Sequence, residues 1–488
     1  MSPAHRRGRG RWLVVGLVVA VLVALGIVTR HPSTSDIGGP PAAPAAMVSA
    51  PDAESSAWYC TGATTSSGQL ALGATVFSNT TARSVIGTVV LSTETGAQVH
   101  FGLSIPPRGL VVPTPSAPSS GSWTAESIIL SHGGVAVSQA VHGAAGWSET
   151  PCLSRTSPVW YFPAGSTSGS NGLFLSMFDP TSTPVVVDLT FFTASGPIRP
   201  INFQGIVLEP GGVEEANVSA YVQSQATLGI EAATRTGQIV ASELEEYNGA
   251  NSGLSLVNGV PEVASEWTIP ESEDVAGGAS ALEVLNPGTR TEKVKVQMQL
   301  GGGELAPFTA TLAPETTWLL LTSNQTRIPD GDPYTTVITA TGGPGVVVGR
   351  AVEGPTGSQT PQAGLANALD VLTTAASTHT WVVPSPGTTS MPAPSGALPE
   401  HLALLNLSAK SQVLVVTAVT PSGDKAVTTV RLAPHSTSSI GGRVLFRAGL
   451  YPLLVRGSGA AAVSEDVGPA GAFGVVTMPG IPLQGDGG

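Results

Sequence analysis

The chain has 488 residues and a formal net charge of −12, with 11% charged and 5% aromatic residues. This mild acidity leaves no basic stripe that could neutralise phosphates, which excludes a nucleic-acid-binding protein. At about 100–200 residues per domain, the length predicts three to four domains. The chain is rich in Gly and Pro, but its 41% hydrophobic residues are regularly placed and are enough to bury a core.

The first 56 residues predict a membrane anchor followed by a spacer. Residues 1–11 form a basic cytoplasmic tail, and residues 12–28 are an unbroken apolar run. At 1.5 Å per residue the run spans roughly 25 Å, which predicts a transmembrane signal anchor with the rest of the chain outside. Residues 29–56 read as a Pro/Ala-rich linker. The alternative is a cleaved signal peptide and a secreted protein, although no small-x-small site directly follows Val28.

A fourfold repeat is the dominant pattern of the remaining chain. An aromatic strand, degenerate in the first copy and followed by Pro in the others, recurs at steps of 102, 107 and 114 residues, at Trp58, Trp160, Trp267 and Trp381. About twenty residues later, each copy has an apolar run that ends on a turn at Asn79, Asp179, Asn286 or Asn406. A Pro follows that Asn or Asp after 28, 31, 28 and 28 residues, and a late Val/Ala strand comes towards the end of each copy.

These repeats predict an all-β fold. Residues 294–300 are apolar at every second position, as in a half-buried strand. Short strands with turns about every ten residues predict about four tandem immunoglobulin-like β-sandwich repeats behind an N-terminal transmembrane helix. The predicted repeats, followed by a flexible tail, are 57–156, 157–264, 265–378, 379–480 and 481–488. The four repeated Trp are interpreted as structural anchors, and carbohydrate stacking is the alternative.

The chain has two cysteines, Cys60 and Cys152, which bracket the first repeat. In an exported protein such a pair predicts a disulfide. A two-ligand metal site is the alternative, but it lacks further thiolates or a neighbouring His.

Short motifs with catalytic spacing fall in predicted turns. Ser422 and Lys425 have the Ser-x-x-Lys spacing but lie in a hairpin turn. Residues 165–169 resemble a nucleophile elbow, with Thr167 where Ser is needed. We therefore predict no catalytic residue.

Metal and acidic motifs are equally weak. The eight His are scattered, and His132 and His142 abut Gly-rich turns. Residues 330–332 read Asp-Gly-Asp but lack the later ligands of a calcium loop. Two acidic groups are interpreted as solvated loops: Glu243, Glu245 and Glu246, and Glu271, Glu273 and Asp274. We predict no metal-binding and no cofactor-binding residue.

Several of these segments resemble an uncharacterised family of actinobacterial membrane-anchored exported proteins, a domain of unknown function. The resemblance spans roughly residues 57–480 and rests on residues 160–163, 177–180, 285–287, 312–314 and 347–350. It implies an envelope location and a repeated β-rich ectodomain. It supplies no catalytic residues.

We therefore expect a single-pass plasma-membrane protein with an extracytoplasmic C-terminal portion. The expected function is non-enzymatic, as a scaffold or protein-interaction module of the cell envelope that uses no cofactor. The expected partners are the membrane, through the N-terminal helix, and another envelope protein or a cell-wall polymer. A carbohydrate- or cell-wall-polymer-binding ectodomain is the alternative. An enzyme would need carboxylates or a Ser/His pair that converge from different repeats.

Overall fold

A computed structural model of the chain describes residues 45–65, 70–114, 120–248, 252–272, 274, 278–301, 303–353, 364–367, 369–370, 379–384, 397–446, 449, 451–469 and 476–485. These residues belong to one compact unit. The predicted basic tail, the predicted transmembrane segment 12–28 and most of the predicted linker lie outside the described residues. Within the described residues, no helix is long and apolar enough to cross a membrane.

The prediction of an all-β fold is confirmed: the described chain forms 36 strands, which group into four β-sandwiches. The first sandwich contains β1 (Ser56–Thr64), β2 (Leu72–Asn79), β3 (Val85–Thr93), β4 (Gln98–Ile105), β5 (Leu110–Val111), β6 (Trp123–Leu130), β7 (Val135–His142) and β8 (Trp147–Pro151). The second contains β9 (Val159–Phe162), β10 (Gly172–Phe178), β11 (Val185–Thr193), β12 (Gly196–Ile198), β13 (Gln204–Leu208), β14 (Val213–Asn217), β15 (Gly229–Thr236), β16 (Val240–Asn248) and β17 (Ser252–Asn258).

The third and fourth sandwiches repeat this order. The third contains β18 (Glu266–Ser272), β19 (Ala279–Asn286), β20 (Glu292–Leu300), β21 (Gly303–Glu304), β22 (Phe308–Leu312), β23 (Thr316–Leu321), β24 (Tyr334–Thr341), β25 (Val347–Glu353), β26 (Gly364–Asn367) and β27 (Leu369–Asp370). The fourth contains β28 (Thr380–Val383), β29 (Ala397–Asn406), β30 (Gln412–Thr420), β31 (Gly423–Leu432), β32 (Thr437–Gly441), β33 (Leu453–Arg456), β34 (Ala461–Pro469), β35 (Val476–Pro479) and β36 (Ile481–Pro482). The described helices are short: α1 (Gly442–Phe446) and two 3₁₀ turns, Ile201–Phe203 and Val218–Ala220.

The strand order is the same in every sandwich. In the second, one sheet runs β12-β11-β15-β9 and the other runs β14-β10-β16-β17. The first strand (β9) thus pairs with β15, and the next strand, β16, pairs with the second strand, β10. In an immunoglobulin constant domain the first strand instead belongs to the sheet of the second. The strand order therefore differs from the expected immunoglobulin-like order in the sheet to which the first strand belongs. In the first sandwich a parallel pairing of Thr64 with Leu72 joins the two sheets into one.

Alternate residues of the two sheets fill each core, as binary patterning requires. In the second sandwich, Trp160 and Leu189 from one sheet meet Leu175 and Met177 from the other, and all four are fully buried. The cores also continue between sandwiches, because Phe192 of the second packs within the core of the third.

The four sandwiches close into a ring. One strand near the end of each sandwich contacts its counterparts in a cycle, β8 with β17, β17 with β26, β26 with β35, and β35 with β8. The two ends of the described chain close the ring at the seam between the first and fourth sandwiches. There the Val48 N–H donates to the Pro482 carbonyl at 2.9 Å, and the Gln484 N–H donates to the Val48 carbonyl at 2.8 Å.

The structure differs from the predicted boundaries at both ends. Val48, assigned to the linker, is fully buried, and Ile481, assigned to the flexible tail, is also buried and lies in a strand paired with β28. Both segments look like spacers in the sequence because each contributes only one or two apolar residues. They are ordered because they pair with each other and cover the core shared by the first and fourth sandwiches.

Candidate functional site: the interfaces of the ring

Asparagine side chains hold the turn after the second strand in three of the sandwiches. In the third, Nδ2 of Asn286 donates to the carbonyls of Arg290, Leu312 and Ala313 at 2.8, 3.4 and 3.0 Å. Asn79 and Asn406 make the same set of bonds in the first and fourth sandwiches. These amides pair carbonyls that would otherwise be buried without donors. The turns therefore set the position of the strands that form the interfaces.

The second sandwich has Asp179 at this turn. Its Oδ1 accepts from the Thr181 N–H at 2.8 Å, but its Oδ2 is buried and has no hydrogen-bond partner. A carboxylate has no N–H to offer to the carbonyls that the asparagines bind. This turn is therefore the least satisfied of the four.

The four repeated tryptophans lie inside the sandwiches, each with at most 2% of its surface exposed: Trp58, Trp160, Trp267 and Trp381. The indole N–H of Trp160 donates to the Ile239 carbonyl, and that of Trp267 donates to the Val346 carbonyl, both at 2.8 Å. Because their ring faces are covered, these side chains offer no stacking surface to a sugar.

The second strand of each of the later sandwiches packs against the preceding sandwich. The hydroxyls of Thr61 and Ser176 lie 2.6 Å apart between the first and second sandwiches. At the equivalent point of the next interface, the Thr227 hydroxyl donates to the Glu283 carboxylate. Trp123 and Phe174 add a ring contact, with centroids 5.5 Å apart, to the first interface. The interfaces are thus continuous and lack an open cleft at these contacts.

In every sandwich a buried polar side chain occupies the same position of the strand that pairs with the second strand, which is β7, β16, β25 or β34. It lies two residues after the late Val/Ala segment. It pairs with the second-strand residue that is four positions before the Asn or Asp of the turn. The four residues are between 0% and 6% exposed: Gln139, Glu243, Arg350 and Glu465. Each sandwich therefore buries one polar or charged side chain at the equivalent position.

In the second sandwich this group meets other acids. Both carboxylate oxygens of Glu243 are buried without a hydrogen-bond partner, and burial, with Glu245 and Glu283 nearby, raises its pKa well above 4.5. Glu245 accepts from the Ser166 N–H at 3.0 Å and the Tyr247 hydroxyl at 2.9 Å. Burial raises the pKa of Glu283 to about 8. Glu243 and Glu283 thus hold protons near neutral pH.

The third sandwich buries charges of both signs instead. Nη1 of Arg350 donates to the Glu271 carbonyl at 3.4 Å. Asp274 Oδ1 accepts from the Tyr334 hydroxyl at 2.8 Å and from the Thr322 hydroxyl at 3.0 Å. The Ser439 hydroxyl of the fourth sandwich donates to Glu271 Oε1 at 3.2 Å, which ties this cluster to the next interface.

Acids also face each other across the seam. Burial, together with Glu149 of the first sandwich and Asp466, raises the pKa of Glu465 well above 4.5. Glu149 accepts from the Ser138 hydroxyl at 2.7 Å. At the surface of the seam, Arg108 and Asp424 form an ion pair of 3.3 Å. Buried acids with raised pKa values can take up protons near neutral pH. In the described part of the chain, no group of three or more His, Cys, Asp or Glu side chains could hold a metal ion.

The remaining residues singled out in the sequence take structural places. Cys60 and Cys152 form a disulfide within the first sandwich. Ser422 lies in the hairpin turn between β30 and β31, and Thr167 lies in a loop, where its N–H donates to the Gln225 carbonyl. His132 and His142 are half-buried, and neither belongs to a metal-binding group of the described residues.

The two groups of acidic residues were interpreted from the sequence as solvated loops, and the structure corrects this interpretation. Glu243 and Glu245 lie in β16 and are at most 1% exposed, and Glu271 and Asp274 are 8% and 1% exposed. Glu273 lies outside the described residues, and Asp330 and Asp332 are exposed in a turn. The loop interpretation was wrong because acids that face an interface between sandwiches have no local sequence signature.

Sequence reasoning missed Gln139, Arg350 and Glu465 and the acid Glu283. One signal could have found the first three: each stands two residues after the late Val/Ala segment that already defined the repeat. Glu283 gives no such signal, because the residues equivalent to it, such as Ser176, are small.

The comparisons with known proteins are distant. No curated protein matches the sequence of this chain. A solved structure of Thermotoga maritima 1070 is 17% identical, with a TM-score of 0.20, over 22% of this chain and 95% of that one. A tetra-tandem repeat from the extending region of a large adhesion protein is 12% identical, with a TM-score of 0.12, over 85% of this chain and 96% of that one. Neither TM-score supports a structural argument.

The sequence profile of a family is more informative. It is described as a family of unknown function, DUF5719, and it matches residues 117–441, which is two thirds of the chain. The match begins within the first sandwich, includes all of the second and third, and ends within the fourth. The chain belongs to the DUF5719 family.

Proposed function

We propose that the chain is a non-enzymatic scaffold or protein-interaction module of the cell envelope. The observation that carries this proposal is the closed ring, in which the four repeated tryptophans and the interfacial carboxyl groups are buried between and within the sandwiches. Such a ring leaves its outer strands available to a partner. Residues that face an interior contact cannot reach a substrate in solution.

The proposal includes export and anchoring. A disulfide such as Cys60–Cys152 is typical of extracytoplasmic proteins, because the cytosol keeps thiols reduced. The apolar run 12–28 supplies the proposed anchor to the plasma membrane. The actinobacterial, membrane-anchored character implied by the family resemblance is part of the same proposal. Intact-mass measurement of the mature protein separates an anchored chain from one secreted after signal cleavage.

Site-specific photo-crosslinking in cells tests the scaffold proposal. The crosslinker replaces one exposed apolar residue in each sandwich: Ile86, Ile201, Leu321 and Val415. We expect one defined envelope protein to be crosslinked from one face of the ring, with Lys425→crosslinker as an exposed polar control. Failure of every position to form a discrete protein adduct would contradict the proposal.

Polymer binding is the alternative, and the burial of the repeated tryptophans removes the stacking surface on which it depended. Co-sedimentation of the full chain with purified cell-wall polymer measures it directly. Saturable retention without any protein adduct in cells would favour the alternative.

A further inference from the structure

A cavity of about 470 Å³ lies at the seam where the ring closes. Its walls come from the N-terminal segment at Pro51, the turn 80–83 of the first sandwich, β28 and β33 of the fourth, and the C-terminal segment 483–485. Both closing ends of the described chain thus contribute to this seam pocket.

The seam pocket is positively charged in an acidic protein. Its lining includes Arg83 and Arg456 and no Asp or Glu, although the chain has a net charge of −12. Neither guanidinium forms an ion pair with a carboxylate of the described residues. Two arginines without carboxylate partners in one cavity leave charged N–H donors for a ligand.

The lining is held in place by the ring closure. Nη2 of Arg83 donates to the Pro51 carbonyl at 2.5 Å, which fixes this side chain beside the N-terminal segment. The Leu483 N–H donates to the Thr380 carbonyl at 2.9 Å, and Leu454 and Leu483 supply an apolar floor. Arg456 is the exposed last residue of β33, so it keeps its guanidinium group accessible to solvent.

We propose that the seam pocket binds an oxyanion group, a phosphate or a carboxylate, carried by a larger ligand. Guanidinium groups match both oxyanions with paired N–H donors. The cavity falls within the usual range of small-molecule sites, about 300–1,000 Å³, and has room for more than the anionic group itself. This inference goes beyond the scaffold function and does not depend on it.

Binding has a consequence for the ring. A ligand that contacts both closing segments binds the closed ring only, so it stabilises the folded protein in proportion to its occupancy. The seam pocket thereby links an anionic ligand to the closure of the scaffold.

Titration of the full chain with inorganic phosphate tests the proposal, read by calorimetry and by ³¹P line broadening at constant ionic strength set with chloride. We expect one site per chain. Arg456→Gln is expected to weaken it at least about 10-fold, as is Arg83→Gln, because each removes a charged hydrogen bond. Arg431→Gln removes the same charge from an exposed strand position outside the cavity and should leave binding unchanged. Thermal unfolding of each variant without phosphate shows that its fold is intact.

A parallel titration with acetate identifies the ligand chemistry. Tighter binding of phosphate assigns a phosphate-bearing ligand, and tighter binding of acetate assigns a carboxylate-bearing one. Absence of saturable binding for both probes would overturn the proposal. An equal loss in Arg431→Gln would also overturn it, because binding would then follow net charge rather than the cavity.

Discussion

The second and third sandwiches have the same strand order but satisfy their buried polar groups differently. At the same position of β16 and β25, the second has Glu243 beside two further acids, whereas the third has Arg350, which donates to the Glu271 carbonyl. At the corner after the second strand, the second has Asp179 and the third has Asn286. The fold therefore accepts a buried charge at this register, and the neighbouring residues decide how that charge is neutralised.

The difference has an energetic meaning. Removing one member of a buried, hydrogen-bonded charge group leaves the others uncompensated. A buried acid without a cation instead takes up a proton, so its cost appears only when the pH rises. The stability of the Arg350 cluster should then be sensitive to substitution, whereas the buried acids without a cation should make the stability of the protein depend on pH.

The largest effect is expected from Arg350→Met. It removes the guanidinium that donates to the Glu271 carbonyl and that interacts electrostatically with Tyr334, whose hydroxyl donates to Asp274. We expect a loss of about 3–5 kcal/mol in the free energy of unfolding, measured by reversible chemical denaturation. Arg431→Met, at an exposed position, is the control and should change it by at most about 0.5 kcal/mol. Equal losses in both variants would show that the buried site has no special role.

The second prediction concerns pH. Burial raises the pKa of Glu126 to about 7 and of Glu283 to about 8, from an ordinary value of 4.5. Between 4.5 and these values the folded protein holds more protons than the unfolded chain, so stability falls as the pH rises from about 4.5 to about 8. Denaturation midpoints measured across this range should decrease towards pH 8.

Glu243→Gln sharpens this test. It removes one buried carboxyl group and should raise the free energy of unfolding at pH 8 by on the order of 2 kcal/mol, with little change at pH 4.5. Glu304→Gln, at an exposed position of the third sandwich, should leave the pH profile unchanged. A wild-type stability that rises towards pH 8 would contradict the assignment of these groups.

A smaller gain is expected from Asp179→Asn. The new amide can donate to the carbonyls of its turn, as Asn286 does in the third sandwich. We expect a stabilisation of about 1–2 kcal/mol from satisfying these buried acceptors. The reverse exchange, Asn286→Asp, is the matched control and should destabilise the protein by a similar amount. If both exchanges changed the free energy of unfolding in the same direction, the turns at Asp179 and Asn286 would not be equivalent.

The smallest effect is expected at the outer surface of the second sandwich. Asp188 and Arg235 form an ion pair with a 2.7 Å contact, and the hydrogen bond from Arg235 is the main reason that the pKa of Asp188 is lowered. Both side chains are partly exposed, so solvent screens the attraction. Asp188→Asn should shift the denaturation midpoint less than Arg350→Met, Glu243→Gln or Asp179→Asn. A larger shift would mean that this surface ion pair contributes more to stability than the buried polar groups do.

Much of the architecture follows from local pattern. Alternating residues such as 294–300 specify strands because the side-chain period of a strand is two, and the four tryptophans and corner residues mark equivalent points of each repeat. The disulfide partners could be named because only two cysteines exist. These features could be predicted because they depend on residues that are close in sequence or, for the disulfide, because no other cysteine could be a partner.

The tertiary structure decided the contacts between residues that are far apart in the sequence, from 40 positions for Glu243 and Glu283 to 435 positions for Val48 and Leu483. The local sequence does not indicate the exchange of end strands, the closure of the ring at Val48 and Leu483, or the proximity of Glu243 to Glu283. A carboxylate in a strand has the same sequence pattern whether it faces water or another sandwich. Its environment, and therefore its charge, is set by burial against distant segments, which a single sequence does not display.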